Sequence, residues 1–306
     1  MTHKKFLVIG YGNMGKLHVS IIKTLVPEAI FDIIDEKKFN FKDKCLSQIL
    51  LEEIKNINSY YGIIISSHSD SHLRYFKNFK DFKRLIFIEK PIVNSSSEFN
   101  ELVSYNHKNI FCGFIETHNE LFKIAKDNLT TDPFLIQVER ISSQVEPERV
   151  KDDVGFDLTI HDLSVALEYF IDFNSIISFQ SLNKNKNSQG FFELNNSKIE
   201  TNELLANFTS SRLGQKKIRI WKIFSQKEEI QIDLINKEIN IIRQSRAGSL
   251  EKNQLTQNNS LKTINAPEVN PAKIQMEKYL ELLESGSTEY NFEKLLKVHE
   301  LLLKDN

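Results

Sequence analysis

The sequence predicts an α/β protein in which an N-terminal, doubly wound parallel sheet is followed by a domain with a large, mostly antiparallel sheet and flanking helices. Over about the first 115 residues, short β-branched runs alternate with amphipathic helical stretches, a pattern typical of parallel βαβ units. From Ser175 onward, strand-like runs follow one another with no helix between them, which favours antiparallel pairing. A length of 306 residues is enough for two domains.

We expect a nucleotide-binding domain over residues 1–116 and a domain for substrate binding and oligomerisation over residues 117–306. The strands predicted in the first domain are Lys5 to Ile9, Ala29 to Ile34, Gly62 to Ser66, Leu85 to Ile88 and Ile110 to Phe114, with helices over Met14 to Leu25, Ser71 to Phe79 and Ser96 to Asn106. The second domain is predicted to contain helices over Glu120 to Asn128 and Gly155 to Phe170, and strands over Phe134 to Ile141, Glu203 to Phe208, Lys217 to Phe224, Glu229 to Leu234 and Glu238 to Arg243.

Three further segments are predicted from composition and pattern. The asparagine-rich stretch from Asn183 to Asn196 is interpreted as a hairpin connection, and the polar stretch over residues 245–265 as a long loop. Two helices, Ala272 to Glu284 and Phe292 to Lys304, close the chain. Whether residues 272–304 pack back on the first domain stays open at this point.

The composition excludes several classes of protein. Forty basic side chains balance forty-one acidic ones, so no overall field attracts nucleic acid or anionic lipid. We expect neither a signal peptide nor a membrane span, because no apolar stretch approaches the roughly eighteen residues that a span needs. Cys45 and Cys112 are too few for a disulfide framework and have no metal-ligand spacing. We therefore expect no metal site and a cytoplasmic location.

The first predicted strand is followed by a glycine-rich turn, Gly10-Tyr11-Gly12-Asn13-Met14-Gly15, and the second strand ends at Asp35, 20 residues beyond the last glycine. This is the arrangement of a dinucleotide site on a Rossmann sheet, in which N–H groups at the helix start hold the pyrophosphate and the aspartate binds the ribose hydroxyls. A carboxylate repels a 2′-phosphate and Glu36 adds a second negative charge, so NAD is favoured over NADP. The alternative is a fortuitous glycine turn.

Polar residues follow three further strand ends, where open parallel sheets bind their ligands. They are Ser66, Ser67 and His68 with His72 in the next helix, then Glu89, Lys90 and Pro91, and then Glu116 and Asn119. The proline restricts Lys90 to an extended backbone and permits a cis peptide bond, which would aim the ammonium at the sheet edge. The alternative for Lys90 is an ordinary solvated loop lysine.

Asp157 and His161 are four residues apart in a predicted helix and therefore share one face. Histidine can take a hydroxyl proton and return it near neutral pH, and a nearby carboxylate can orient the ring. The alternative is an ion pair on the helix surface. Asp162 has two interpretations, an exposed acid of the helix or a partner of Lys90.

The remaining singled-out residues have structural interpretations. We expect His3, His107 and His299 to face solvent, although His299 also falls in the apolar stripe of the last helix. His18, on the first helix, is expected near the cofactor, and Trp221 in sheet packing or at a subunit interface.

Together these motifs resemble the Gfo/Idh/MocA oxidoreductases, the family of glucose-fructose oxidoreductase and inositol dehydrogenase. The matching segments occur in the family order over about the first 165 residues and are Gly10 to His18, Ser67 to His72, Glu89 to Pro91, Gly113 to Glu116 and Asp153 to Asp162. The segment from Gly113 to Asn119 and the helix with Asp157 look most like the branch of UDP-N-acetylglucosamine 3-dehydrogenases.

The resemblance implies an NAD(P)-dependent dehydrogenase that oxidises a secondary hydroxyl of a sugar, sugar nucleotide or polyol held between the domains. By similarity, His161 is the acid/base, Lys90 stabilises the developing alkoxide, and Asp157 orients substrate or histidine. The residues implied for cofactor binding are Gly10, Tyr11, Gly12, Asn13, Met14, Gly15, Asp35, Ser66, Ser67, His68, His72, Glu89 and Lys90. Those implied for substrate binding are Lys90, Glu116, Asn119, Asp157 and His161.

The sequence departs from the family pattern at two sites. Ser67-His68 replaces the usual Thr-Pro of the strand end, and Glu116-Thr117-His118-Asn119 replaces the branch's Glu-Arg-Phe-Asn, which removes an arginine that could hold a carboxylate or phosphate. A cofactor-binding regulator without turnover is the alternative function, and a reductase of an unsaturated or tetrapyrrole substrate is a third. The presence of Asp157 and His161 favours the dehydrogenase. An exposed flat face of the second sheet predicts a homodimer or homotetramer.

Overall fold

The computed structural model describes residues 4–105, 108–143, 151–244, 259–265, 267–268 and 270–304. These residues form two compact units, one up to His118 together with Asn270–Lys304, the other beginning at Asn119 and ending before Asn270. The helices are α1 (Asn13–Leu25), α2 (His72–Phe79), α3 (Ser96–Ser104), α4 (Glu120–Asn128), α5 (Ile160–Tyr169), α6 (Pro271–Ser285) and α7 (Phe292–Leu303). No helix among these described residues is both long and apolar enough to cross a membrane.

The first unit contains a six-stranded parallel sheet with the order β3-β2-β1-β4-β5-β6. Its strands are β1 (Lys5–Ile9), β2 (Ile30–Ile34), β3 (Leu46–Gln48), β4 (Gly62–Ile65), β5 (Ile86–Ile88) and β6 (Ile110–Cys112). The central strands are apolar runs without polar alternation because both faces are buried, as in Ile63, Ile64 and Ile65. The predicted doubly wound sheet is confirmed. The short edge strand β3 was not predicted, since three residues with a polar centre carry little periodicity.

Helices α6 and α7 are part of the first unit. Tyr279 of α6 is fully buried, and its hydroxyl lies 2.9 Å from the carbonyl oxygen of Ile63, 3.0 Å from that of Leu85 and 3.2 Å from the amide nitrogen of Ile63. Burial raises the pKa of this phenol. The side-chain oxygen of Gln275, turned toward the backbone N–H groups of Phe114 and Ile115, accepts from both at 3.3 and 3.2 Å. Helix α6 therefore bonds to β4, to the residue before β5 and to the turn after β6.

His299 of α7 is fully buried, so the expectation that it faces solvent is wrong. Its Nδ1 donates to the carbonyl of Leu295 at 2.8 Å, and its Nε2 accepts from the backbone N–H of Ile92 at 3.1 Å. Because the second contact needs a lone pair on Nε2, the bonded ring is neutral. Burial lowers the pKa of His299 to about 4. His3 and His107 lie outside the described residues.

We expect acid to destabilise the protein through His299. Between about pH 6.5 and pH 4 the unfolded chain binds a proton that the folded ring excludes, so the free energy of unfolding falls as the pH falls through this window. Loss of this contribution amounts to about 2 to 3 kcal/mol. Urea unfolding at pH 7 and pH 4 gives the change in the free energy of unfolding between these pH values for the wild type and for His299→Gln. The difference between the two changes is the contribution of His299. Equal pH dependence in both proteins would contradict the assignment.

The second unit contains an eight-stranded sheet with the order β14-β13-β12-β11-β7-β10-β9-β8. Its strands are β7 (Pro133–Ser143), β8 (Ser178–Lys186), β9 (Phe192–Glu200), β10 (Leu205–Gly214), β11 (Ile218–Ser225), β12 (Glu228–Asp233), β13 (Glu238–Gln244) and β14 (Asn259–Asn265). All neighbours pair antiparallel except β7 and β10. The mostly antiparallel sheet is confirmed. The parallel pair is possible because α5, β8 and β9 lie between β7 and β10 in the sequence.

Two predictions for polar segments of this unit are wrong in part. The stretch from Asn183 to Asn196 is not only a connection, since β8 and β9 occupy most of it and pair with each other. Residues 259–265 form β14 at the sheet edge, whereas residues 245–258 lie outside the described part of the chain. All three strands, β8, β9 and β14, are rich in Asn, Ser and Lys because they face solvent on at least one side, and such a composition resembles that of a loop.

A buried ion pair links α5 to the sheet of the second unit. Arg140 of β7 donates from Nε and Nη2 to the two carboxylate oxygens of Asp162, at 2.6 and 2.8 Å. The indole N–H of Trp221 donates to the same carboxylate at 3.1 Å. All three side chains are almost fully buried. Asp162 is therefore not an exposed acid of the helix, and Trp221 packs within the sheet core as expected.

Candidate functional site

The glycine turn between β1 and α1 has a backbone that only glycine fits at two positions. Gly10 has a φ of +85°, and a Cβ atom there would lie 2.5 Å from the backbone N and Cα of Ser67. A Cβ on Gly15 would lie 2.1 Å from the carbonyl oxygen of Gly10. Around Gly12, by contrast, no atom lies within 4 Å of the corresponding position. The turn is thus tightly packed on its inner side and open at its middle glycine.

Helix α1 begins directly at this open point. Gly12 is its N-cap residue, no side chain caps the helix, and its first turn carries no acidic residue. The partial positive charge of a helix N-terminus is therefore available for an anion such as a pyrophosphate. Asn13 and Met14 supply the first backbone amides of the helix, and both residues are at least partly exposed.

Asp35 follows β2, and its carboxylate is fixed beside the glycine turn. One oxygen accepts from the backbone N–H of Tyr11 at 2.6 Å and the other from that of Lys37 at 2.8 Å. Each oxygen has a second lone pair, so both can still accept from a ribose hydroxyl. The ring of Tyr11 makes edge contacts with Phe39 and Phe41 at 5.2 and 5.3 Å between centroids. This aromatic cluster holds the turn against the segment that follows Asp35.

We expect Gly12→Ala to weaken NAD binding without destabilising the fold. The backbone at Gly12 (φ −75°, ψ −155°) accommodates alanine, and the added methyl group would occupy the open space over the turn. Calorimetric titration should show at least about a tenfold increase in the Kd for NAD, whereas the melting temperature stays within about 2 °C.

Gly15→Ala is the matched comparison, because its methyl group collides with the backbone of Gly10 and should lower the melting temperature. A Gly12→Ala variant that binds NAD as the wild type does, or that loses as much stability as Gly15→Ala, would contradict the prediction.

The segment after β4 is bonded to the glycine turn. The hydroxyl of Ser66 donates to the carbonyl of Gly10 at 2.8 Å, and the hydroxyl of Ser67 lies 2.7 Å from that of Ser71. His68 is exposed, and its carbonyl accepts from the backbone and side chain of Ser71. The hydrogen bonds within this turn therefore fix its backbone without a proline.

His72, at the start of α2, is buried and contacts two backbone carbonyls. Its Nδ1 lies 2.7 Å from the carbonyl oxygen of Pro91, and its Nε2 lies 3.0 Å from that of Ser67. With 1 % of its surface exposed, the ring connects the turns after β4 and β5 from inside the unit.

The triplet after β5 places its acid inward. Glu89 is buried and lies 2.6 Å from Nε2 of His18, a fully buried residue of α1. Lys90 is half-buried, and the peptide bond between Lys90 and Pro91 is cis. Glu116 after β6 is also buried. The carboxyl edge of the first sheet thus carries the glycine turn, Asp35 and Lys90, as the sequence predicts for a parallel sheet.

The second unit carries Asp157, His161 and Asn119. Asp157 lies in a π-helical turn (Gly155–Thr159) that leads into α5, and His161 is half-buried in the first turn of that helix. Single π turns are frequent at functional sites. Asn119 is the N-cap of α4, where its side chain accepts from the backbone N–H of Leu121 at 3.2 Å.

Arg212 of β10 is a functional candidate that sequence reasoning missed. Its guanidinium is almost fully buried and donates to the carboxylate of Asp157 and the carbonyl of Asp152, both at 2.9 Å. The Asp157 side chain remains 43 % exposed. The aspartate therefore presents a fixed, negatively charged group to solvent. Arg212 stands directly after Ser210 and Ser211 near the end of β10, and this local sequence gives no signal for the contact.

Among the comparisons with known proteins, only the structural one finds similar proteins. No family model matches the sequence, and no curated protein matches it. The structure resembles UDP-N-acetylglucosamine 3-dehydrogenase GnnA from Acidithiobacillus ferrooxidans with a TM-score of 0.79 at 16 % identity, over 100 % of this chain and 97 % of that chain.

Two other solved structures are similar over nearly the whole chain. A mutant of the 3-ketoreductase KijD10 from Actinomadura kijaniata, in complex with TDP-benzene and NADP, has a TM-score of 0.77 at 9 % identity, over 98 % of this chain and 96 % of that chain. A myo-inositol dehydrogenase from Corynebacterium glutamicum has a TM-score of 0.70 at 15 % identity, over 98 % of this chain and 95 % of that chain. At these identities the likeness shows a common fold.

Proposed function

We propose that the protein is an oxidoreductase of the Gfo/Idh/MocA family that oxidises a secondary hydroxyl of a sugar, sugar nucleotide or polyol with a nicotinamide cofactor. The observation that carries the proposal is the glycine turn, closed at Gly10 and Gly15 and open at Gly12, at the uncapped start of α1. A dinucleotide fits these residues because its pyrophosphate needs both the close backbone approach and the helix amides.

NAD is the proposed cofactor, in preference to NADP. Two backbone N–H groups hold the Asp35 carboxylate at the end of β2, where it would accept from the ribose hydroxyls and repel a 2′-phosphate. Glu36, which is exposed, adds negative charge there. A nicotinamide held by these residues would supply the acceptor for the hydride of the substrate carbon.

In the proposed mechanism each candidate side chain has one role. His161 removes the hydroxyl proton of the substrate, so that a CH–OH group becomes a carbonyl as its hydride leaves. Lys90, a half-buried cation, stabilises the negative charge that develops on the oxygen. Asp157 orients the substrate hydroxyls, and Arg212 keeps its carboxylate in one position. The proton on His161 is returned to water after the reaction.

A sugar nucleotide is the proposed substrate within this class, as in the UDP-N-acetylglucosamine 3-dehydrogenase branch. GnnA is named as a UDP-N-acetylglucosamine 3-dehydrogenase. The KijD10 mutant was solved in complex with TDP-benzene. In this chain Thr117 and His118 stand where the branch has arginine and phenylalanine, and burial lowers the pKa of His118 to about 4. Because Thr117 and a neutral His118 offer no charge to a phosphate, the contacts of a bound sugar nucleotide would differ here from those in the branch.

The test is NADH formation with a panel of sugar nucleotides, free sugars and polyols. We expect turnover of at least one sugar nucleotide with NAD and at least about tenfold lower kcat/KM with NADP. Tight NAD binding with no turnover of any compound would instead favour the alternative function, a regulator that binds cofactor, and capture of a protein partner would strengthen it.

We also propose a cytoplasmic homodimer or homotetramer formed through the sheet of the second unit. Partly exposed apolar side chains, Leu135, Leu205, Ile220 and Phe224, occur on the outward side of adjacent strands of this sheet, as the pairing register shows. Such a face is commonly covered by another subunit. A monomeric mass by light scattering at micromolar concentration would count against this assembly.

A further inference from the structure

The segment that follows Lys90 is held from two sides by buried histidines. His72 contacts the carbonyl oxygen of Pro91 at 2.7 Å, and His299 accepts from the N–H of Ile92 at 3.1 Å. Pro91 and Ile92 are consecutive residues, so the carbonyl oxygen and the N–H of the peptide bond between them each contact an imidazole ring. Both rings are almost fully buried, with 1 % and 0 % of their surface exposed.

Each histidine is itself anchored to another part of the unit. The second nitrogen of His72 contacts the carbonyl of Ser67, in the turn that also bonds to Gly10 through Ser66. The second nitrogen of His299 donates to Leu295, one turn earlier in α7. The stretch after Lys90 is therefore connected to the glycine turn on one side and to the last helix on the other.

These contacts constrain the position of the backbone after Lys90. A buried N–H or carbonyl that loses its partner costs about 1 to 3 kcal/mol, so the backbone at Pro91 and Ile92 has one favourable position. Both partners of His72 are backbone carbonyl oxygens, and each ring nitrogen lies beside one of them. The position of the backbone at Lys90 follows from that of the next two residues.

We propose that His72 and His299 are positioning residues that fix the Lys90 ammonium for its task, without touching cofactor or substrate themselves. The inference rests on the proposed function, since it gives Lys90 its task. His72 then belongs among the supports of the cofactor site rather than among the residues that bind the cofactor directly. His299 joins the site from the far end of the sequence, where no motif indicates it.

The test compares His299→Phe, which removes the acceptor for Ile92, with His299→Gln, whose amide oxygen can replace it. We expect His299→Phe to lower kcat at least about tenfold, with the Kd for NAD changed less than about twofold, because small displacements of a catalytic group cost rate rather than binding. His299→Gln should recover most of that loss. His72→Gln, which keeps one donor, gives an independent second variant with an intermediate loss.

Val298→Ala is the matched control, because Val298 is a buried neighbour on α7 and its truncation loosens the packing without removing a hydrogen bond. If the loss of kcat in Val298→Ala and in His299→Phe is proportional to the loss of melting temperature in each variant, the histidine is merely structural. That result overturns the proposal.

A second readout does not depend on turnover. Reductive methylation with ¹³C-formaldehyde gives lysine amines separate NMR signals, and the Lys90 signal is assigned by its loss in Lys90→Arg. We expect His299→Phe and His72→Gln to shift the Lys90 signal, while Val298→Ala leaves it in place. An unmoved Lys90 signal overturns the proposal. A moved signal in a protein that oxidises no sugar supports the positioning and contradicts the proposed function alone.

Discussion

His161→Asn is expected to lower kcat for the proposed sugar oxidation by about 10² to 10⁴-fold, while the Kd for NAD and the melting temperature stay close to the wild-type values. Asparagine is polar and of similar size but cannot take up a proton near neutral pH. His161 lies in the first turn of α5 and is half-buried, so the substitution leaves the packing of the helix core intact. Steady-state kinetics with the best substrate of the panel measures the loss.

The pH profile distinguishes a proton acceptor from a mere contact. In the wild type, kcat/KM should rise with pH as the free imidazole forms, and this limb should disappear in His161→Asn. Glu168→Gln, which changes a charge on the same helix, is the matched control and should retain nearly full activity. If His161→Asn keeps more than about a tenth of the wild-type kcat, the acid/base must be another group.

Arg140→Met is expected to lower the free energy of unfolding by about 3 to 5 kcal/mol. The substitution leaves the carboxylate of Asp162 buried among apolar groups, with the indole N–H of Trp221 as its remaining neutral donor in the structure. A buried charge without its counter-ion is far more costly than the loss of a hydrogen bond. Urea unfolding followed by tryptophan fluorescence reports the change directly, because Trp221 is the single tryptophan.

Two variants check the cause of that loss. Arg140→Met combined with Asp162→Asn removes the orphaned charge but keeps an acceptor for Trp221, so at least half of the stability should return. Lys123→Met breaks an exposed pair with Asp127 on α4 and should change stability by less than about 0.5 kcal/mol. A loss below about 1 kcal/mol in Arg140→Met would mean that Asp162 is neutral or solvated in the folded protein.

Much of the first sheet was predictable because its signals are local. The strands are short and apolar on both faces, so each is recognisable from a few consecutive residues. The glycine turn is recognisable from three glycines within one loop. The predicted helix from Glu120 to Asn128 has the bounds of α4, because a capping asparagine and an amphipathic pattern coincide there. Asp35 could be anticipated from its distance along the chain to Gly15.

The contacts that escaped prediction join residues far apart in the sequence. His299 looks like part of an apolar stripe until Ile92 is placed beside it, 207 residues earlier. Two ion pairs likewise join different elements, Arg212 with Asp157 and Arg140 with Asp162. No spacing rule relates such positions, because the fold alone decides which strand faces which helix. The strands β8 and β14 escaped for another reason, since solvent-facing edge strands are as polar as loops.

The first unit is discontinuous in the sequence, since α6 and α7 follow the described residues of the second unit. During synthesis, the sheet of the first unit emerges from the ribosome long before Tyr279 and His299 can reach Ile63, Leu85 and Ile92. The second unit is continuous and can complete its sheet earlier. We therefore expect the proposed cofactor site to mature only after α6 and α7 have joined the first unit, so that cofactor binding would report their docking.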